Sequence, residues 1–416
     1  MAHRSREAVA VREMFLQKDE AFQLLADFGS PLYVYSEGIL RERCGELLEA
    51  FEGRIKPSFS AKANSNLHLL RIIREEGIGA DAVSPGEIFI LERAGFESGE
   101  IFYICNNASE EELRFAIDRD ILVSVDSLSQ LETFGRINRG GSVALRINPG
   151  VGAGHCDKVV TAGCGTKFGI DPAYCGEAKK IIAKYELKLI GINQHIGSLF
   201  LDAGPYVKAA GILLSIVLKH FPGLDFVDFG GGFGVPYKEG ERRLDFGALR
   251  DGLFPLMDSF VERYDNKYVH FKCEPGRYIA AECGLLLGTV NAVKESFGKR
   301  YVGTDLGFNV LMRRVLYNSY HEARLLRRGA AVQRSAVLAD VVGDICESGD
   351  IIAESRPVGD ARKGDVIAVE NAGAYGYSMA SNYNSRMRPA EVLMTQRGEF
   401  KLIRAADTLE SLLANF

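Results

Sequence analysis

The sequence predicts a (β/α)8 barrel followed by a second, mostly β domain. Three observations carry that expectation. Eight short apolar runs succeed one another, most are separated by a segment of helical periodicity, and after about residue 285 the texture changes to closely spaced β-like runs. Alternating β and α units imply a parallel sheet with right-handed crossovers, and eight such units imply closure into a barrel. An open doubly wound sheet is the competitor. The count of eight and the lack of an early Gly-x-Gly-x-x-Gly turn favour the barrel.

In chain order, residues 1 to about 30 look helical and then turn at Gly29-Ser-Pro31, and this N-terminal segment is expected to pack with the C-terminal β domain. Leu32 to Tyr35 is a short strand, and Gly38 to Phe51 is helical. The eight barrel strands are expected at 57–61, 78–83, 101–105, 121–125, 142–147, 189–195, 226–229 and 269–273. Helical periodicity marks Leu67–Glu76, Pro85–Ala94 and Ser109–Asp118, and the apolar stretch near 212–218 reads as a buried helix. The barrel domain is expected over 31–284 and the β domain over 285–416. Within the latter, β-like runs stand at 285–293, 300–305, 336–342, 365–370 and 391–395, divided by turns such as Arg362-Lys-Gly-Asp365. The stretch Thr408–Asn415 looks like a closing helix.

Composition narrows the function. Apolar residues make up 47% of the 416 and charged residues 25%, the balance of an ordinary globular protein. Fifty basic and 55 acidic side chains leave a net −5, which points away from nucleic acid and anionic membranes as partners. No apolar run approaches the roughly 20 residues of a membrane span, and the N-terminus lacks the apolar core of a secretory signal. Eight scattered cysteines with no Cys-x-x-Cys pair suggest reduced thiols in a cytoplasm. His155, Cys156 and Cys164 fall loosely together, but their spacing matches no standard zinc site, so no metal is expected.

A barrel of this kind carries its chemistry at the C-terminal ends of its strands. In strand order those ends offer Lys62, Asp81 and Ser84, Asn106, Asp126, Arg146 with Asn148, His195 with Ser198, Gly230-Gly231-Gly232, and Glu274 with Arg277. Most lysines in such a position are simply exposed, a lone glycine run is usually a flexible turn, and Glu274 with Arg277 could be a surface ion pair. Together they suggest more. A lysine can form a Schiff base, bare glycine amides can cradle a phosphate, and an acid can hold a pyridine nitrogen protonated so that the ring becomes an electron sink. Those are the parts needed for pyridoxal 5'-phosphate, with His195 as a ring able to stack on it.

Six motifs stand in order: Ser60-Ala-Lys-Ala-Asn64, His195-Ile-Gly-Ser198, Gly230-Gly-Gly-Phe-Gly234, Glu274-Pro-Gly-Arg277, Cys346-Glu-Ser-Gly-Asp350 and Gly373-Ala-Tyr-Gly376. With them the sequence resembles the fold type III, alanine-racemase-like pyridoxal-phosphate decarboxylases, in the branch acting on meso-2,6-diaminopimelate. The likeness runs from about residue 30 to 405, and the stretch from Gly373 to Arg386 is its most telling part. The resemblance implies a homodimeric carboxy-lyase of lysine biosynthesis with shared active sites. It makes Lys62 the Schiff-base lysine and pairs Glu274 with the ring nitrogen. It places Gly230, Gly231, Gly232, Ser198, Gly276, Arg277 and Tyr375 near the cofactor phosphate. It makes Cys346 the donor that returns a proton to the carbanion left when carbon dioxide departs. A thiol suits that task, since its reference pKa of about 8.5 keeps most of it protonated near neutrality.

By the same resemblance, Arg277, Arg313, Tyr317 and Tyr375 bind substrate, the arginines taking its distal carboxylate, and Glu347 meets its distal amine. Arg314 stands where such proteins usually carry proline. It keeps open a related decarboxylase for another carboxylate-bearing amino acid, such as a D-amino acid or a siderophore-type precursor. A racemase of this fold would place arginine at the ring nitrogen, so Glu274 argues against one. A binding-only relative could dispense with Cys346 and the arginines, which are present here.

Overall fold

The computed structural model describes residues 14–152, 154, 158, 160–329 and 336–416. The chain forms two compact units. One contains Glu37–Val235 and Leu244–Ala281; the other contains Pro236–Arg243, Glu282–Phe416 and the chain up to Ser36. The stretch Pro236–Arg243, which lies inside the barrel domain as bounded from sequence, is therefore counted with the β-rich unit.

The first strand, β1 (Leu32–Ser36), belongs to the β-rich unit. The next eight build the barrel: β2 (Ile55–Ser60), β3 (Gly79–Ala82), β4 (Ile101–Ile104), β5 (Leu122–Val125), β6 (Ser142–Arg146), β7 (Lys188–Asn193), β8 (Phe226–Asp228) and β9 (His270–Cys273). All pair in parallel and in sequence order, and β9 returns to β2 with Pro57 opposite Cys273, closing the cylinder. The eight expected strands are thus present, with ends shifted by a residue or two. Apolar residues predominate along most of them because inner and outer faces are both covered.

The helices that follow β2, β3, β4 and β5 begin at short polar caps. Asn66 accepts from His68 N–H ahead of Leu67–Glu75, which buries Leu69, Leu70, Ile72 and Ile73. Ser84 caps Pro85–Ala94, whose first helical residue is proline, and the helix stops at Gly95 with φ +101°. Ser109 and Ser127 cap the next two helices in the same way. Each cap satisfies amides that the helix leaves open. Because cap follows strand within a few residues, side chains at the strand ends are fixed from both sides.

Inside the barrel, Phe102, Ile104, Ala144 and Phe226 form an apolar plug. Phe102 and Phe226 meet edge to face at 5.5 Å, a favoured aromatic geometry. Gly191 makes room for this packing, since a Cβ there would lie 2.0 Å from the Phe226 ring.

The second unit adds β10 (Gly284–Ser296), β11 (Lys299–Thr304), β12 (Ala323–Leu326), β13 (Ala339–Val342), β14 (Ile351–Arg356), β15 (Val366–Val369), β16 (Ala390–Met394) and β17 (Phe400–Arg404). Its main sheet runs β14-β13-β11-β10-β1-β16-β17, and β15 joins β10 to β12. The helix Lys18–Phe28 lays Ala21, Phe22 and Leu24 on a core with Leu32, Leu285, Val366 and Val392. The helical expectation for residues 1–13 lies outside the described residues. β12, β14 and β17 were not expected: Arg324, Glu354, Arg356, Lys401 and Arg404 interrupt their apolar residues. The closing helix expected at 408–415 does not form. Only the turn Ser411–Leu413 does, and Leu409 and Leu413 stay exposed, so no buried face supports a helix there.

Phe226→Ala should remove about 3–5 kcal/mol through the cavity it leaves in the plug. Thermal unfolding of the variant tests this; an unchanged midpoint would show that Phe226 does not support the barrel interior.

Candidate active site

Closure of β9 on β2 brings their C-terminal ends together. Ser60 N–H donates to Pro275 O at 3.3 Å. Ser60 Oγ donates to Asp81 Oδ2 at 2.5 Å and lies 3.2 Å from Glu274 O. Just past β2, Lys62 sits in a single helical turn, Ala61–Ala63. Its Nζ lies 3.4 Å from Asp81 Oδ1, with the lysine side chain 33% exposed and Asp81 fully buried. The amine is therefore fixed at its root yet open to the mouth.

Glu274 occupies the neighbouring strand end and is 2% exposed. Its Oε1 accepts from Asn193 Nδ2 at 3.4 Å, and Asn193 Oδ1 in turn accepts from Ser124 Oγ at 2.6 Å. Its Oε2 lies 3.4 Å from His195 Nδ1. The same nitrogen is 3.2 Å from Gly231 N–H. It accepts from the glycine or donates to the acid, according to where the ring carries its proton.

The buried acids are driven apart electrically. Burial raises Glu274, but His195, Lys62 and Arg146 outweigh it and hold the group below the usual carboxylate range. Burial raises Asp81, reinforced by Glu274 and opposed by Lys62 and Ser60. Burial and Glu274 push Asp228, deeper in the barrel, well above its ordinary value. His195 is lowered by burial, Glu274 opposing and Lys62 and Arg146 adding to the fall. The mouth thus keeps one firmly ionised carboxylate beside a neutral imidazole.

The glycine run is explained by packing. A Cβ on Gly230 would lie 2.2 Å from Gln194 O, on Gly231 1.8 Å from Glu274 O, and on Gly232 2.4 Å from Gly197 O. Gly230 and Gly232 also have φ of +74° and +110°, a region that glycine enters without strain. These residues let the loops after β7, β8 and β9 meet backbone to backbone. Asp228 Oδ1 accepts from Gly230 N–H at 2.9 Å and ties the run to its own strand. Nearby, Arg277 Nη2 donates to Ser198 Oγ at 3.1 Å, and Gly276 precedes the turn Arg277–Ala280.

The remaining expected residues lie in the β-rich unit. Arg313 is 1% exposed and donates from Nη1 to Tyr237 OH at 2.8 Å and from Nη2 to Ser319 Oγ at 3.3 Å. Tyr317, at the end of the same short helix Arg313–Tyr317, is half-buried. Arg314 pairs with Glu354 at 2.6 Å on β14, so its extra charge is met within its own unit. Tyr375 has φ +56° and is half-buried in the Gly373–Gly376 turn. Cys346 and Glu347 are exposed; Cys346 N–H donates to Asn384 Oδ1 at 2.8 Å and Glu347 Oε1 accepts from Tyr383 OH at 2.6 Å.

Ser124 and Asn193 are functional side chains beyond those expected from sequence; Ser60 was expected only as part of a motif and Asp81 only as a strand end. The available signal was a polar residue facing inward near the end of a strand. Among the described residues no cluster of His, Cys, Asp or Glu could hold a metal. His155 and Cys156 lie outside the described residues, and Cys164 is exposed.

The donor set fits a phosphate-bearing pyridine aldehyde: a reachable amine, an ionised acid, a flat ring, and a close-packed glycine loop beside a hydroxyl and a guanidinium. A barrel with these groups at its C-terminal mouth defines a pyridoxal-phosphate enzyme. Residues 37–281 match the family described as pyridoxal-dependent decarboxylase, pyridoxal binding domain. A diaminopimelate decarboxylase of Methanothermobacter thermautotrophicus is 39% identical, covering 95% of this chain and 93% of its own. A crystal structure of a diaminopimelate decarboxylase superposes with a TM-score of 0.91 at 32% identity, over 98% of both chains. That of the Helicobacter pylori enzyme complexed with L-lysine gives 0.85 at 31% identity, over 94% of this chain and 97% of that one. The chain belongs to the diaminopimelate decarboxylase family.

Gly231→Ala should weaken pyridoxal-phosphate binding by tenfold or more, on the order of the 1.4 kcal/mol or more that such a backbone displacement costs. A fluorescence titration of the apoprotein measures it. Unaltered affinity would mean that the loops tolerate the Cβ and that the close approach is not needed.

Proposed function

We propose that this protein decarboxylates meso-2,6-diaminopimelate to L-lysine and carbon dioxide with pyridoxal phosphate. The observation that supports this most is the Lys62 amine, steadied by Asp81, beside the ionised Glu274 at one barrel mouth. Bound pyridoxal phosphate supplies the electron sink that accepts the pair released when the carboxylate leaves.

The chain's own residues do the rest. Lys62 Nζ, 3.4 Å from Asp81 Oδ1, is the amine that would hold the cofactor aldehyde. Glu274 presents a fixed negative charge to the ring nitrogen, and Asn193 and His195 keep that carboxylate oriented. The His195 ring offers a flat face. By the family resemblance, Gly230, Gly231, Gly232, Ser198, Gly276, Arg277 and Tyr375 would hold the phosphate. Breaking the bond from the reacting carbon to its carboxylate frees carbon dioxide, and Cys346 gives that carbon a proton, later regained from water.

Arg277, Arg313, Tyr317 and Tyr375 bind the distal end of the substrate, the arginines taking its carboxylate, and Glu347 meets the distal amine. Arg314 pairs with Glu354, which supports this substrate over another carboxylate-bearing one by meeting the extra charge. In the homodimer of this reading, the Cys346 segment of one copy serves the barrel of the other. The amino-acid substrate is its small-molecule partner, with no role for nucleic acid or membrane. No helix among the described residues is long and apolar enough to cross a membrane. The cytoplasmic placement rests on the scattered cysteines of the sequence, none of them in a Cys-x-x-Cys pair.

Lys62→Ala should lose both the visible absorbance of lysine-bound cofactor and carbon dioxide release. Retention of both would remove the basis of the assignment. Cys346→Ala should keep the cofactor spectrum but lose about 100-fold or more in kcat, the usual scale of a positioned proton donor. An unchanged kcat would assign the proton to another group.

A further inference from the structure

The stretch from Gly373 to Arg386 is the longest motif in the chain, yet the reading above uses only Tyr375. Its second half folds onto the Cys346 loop. Tyr383 OH donates to Glu347 Oε1 at 2.6 Å, and Asn384 Oδ1 accepts from Cys346 N–H at 2.8 Å. Two consecutive residues thus each hold one of two consecutive residues opposite. Asn384 and Ser385 both have left-handed backbones, with φ of +55° and +54°. That pair of kinks turns the chain so that neighbouring side chains reach the same loop, a conformation kept only where the surroundings impose it.

The arrangement is anchored on every side. The Tyr383 ring stacks on Phe308 at 5.7 Å with planes 19° apart. Phe308 N–H donates to Asp350 Oδ1 at 2.6 Å, and Ile345 N–H donates to Asp350 Oδ2 at 2.8 Å. Arg386 pairs with Asp344 at 2.6 Å, and Ser381 N–H donates to Asn309 O at 2.9 Å. The loop carrying Cys346 and Glu347 is therefore fixed at both ends by Asp344 and Asp350. Its exposed middle is set by Tyr383 and Asn384.

We infer that Tyr383 and Asn384 are positioning residues that divide the work: Tyr383 orients Glu347 toward the substrate's distal amine, and Asn384 fixes the backbone of the proton donor Cys346. This rests on the roles given to Glu347 and Cys346 under the proposed function. Neither positioning residue touches the reacting carbon. The phenol leaves one carboxylate oxygen of Glu347 for an ammonium and stops the exposed side chain from sampling other rotamers. A carboxylate so held recognises an α-amino group beside a carboxylate, which is the end of the substrate that survives as L-lysine.

The two roles predict opposite kinetic signatures, which a merely structural loop would not give. Tyr383→Phe keeps the ring stacking on Phe308 and removes only the hydroxyl. It should raise KM for meso-diaminopimelate and the inhibition constant of L-lysine about tenfold, the scale of one hydrogen bond to a charged group, with kcat changed less than about threefold. In a Glu347→Gln background the same change should have little further effect. Asn384→Gly keeps the left-handed backbone and removes the acceptor. It should lower kcat about tenfold with KM nearly constant. The holoenzyme, its single variants and the Tyr383→Phe/Glu347→Gln double variant supply all the data. Equal shifts of kcat and KM in both variants, or full additivity of the double variant, would overturn the inference. If Glu347→Gln alone leaves L-lysine inhibition unaltered, it is the assigned role of Glu347 that fails first.

Discussion

Closure of β9 onto β2 is the contact on which the barrel's chemistry depends. It sets Pro57 opposite Cys273 and lets Ser60 bridge, through one hydroxyl, the Asp81 carboxyl and the Glu274 backbone. Lys62 and Glu274 lie more than two hundred positions apart in the chain, and only this seam makes them neighbours. An open sheet with the same strands would leave them at opposite edges.

The seam also explains how several buried acids can coexist. Unpaired charge is costly in such a place. Glu274 stays ionised because His195, Lys62 and Arg146 face it; Asp81 and Asp228 are pushed the other way by burial and by Glu274 itself. Separating the protonation of neighbouring carboxyls is a general means of giving each a different task. The glycine loop belongs to the same arrangement, since Gly231 can approach Glu274 O only without a Cβ.

Much of this was legible in the sequence. Alternating apolar runs and helical periodicity located the eight barrel strands, and reading the strand ends picked out Lys62, His195 and Glu274. The purpose of the glycines was only partly legible: phosphate binding suggests bare amides, whereas the close approach of three loops is a tertiary fact with no local signature. The contacts of Ser60 and Asn193 were hidden because a single polar residue near a strand end looks like any other. The contacts of Tyr383 and Asn384 were hidden because their partners lie some forty residues upstream, on a loop whose course the local pattern does not reveal. The false closing helix at 408–415 shows the converse. Its residues favour a helix, but nothing covers Leu409 and Leu413.

The most direct measurement is the product formed when the protein, loaded with pyridoxal phosphate, is given meso-2,6-diaminopimelate. The account predicts L-lysine and carbon dioxide in equal amounts. Cofactor held on Lys62 with the substrate returned unchanged would contradict it.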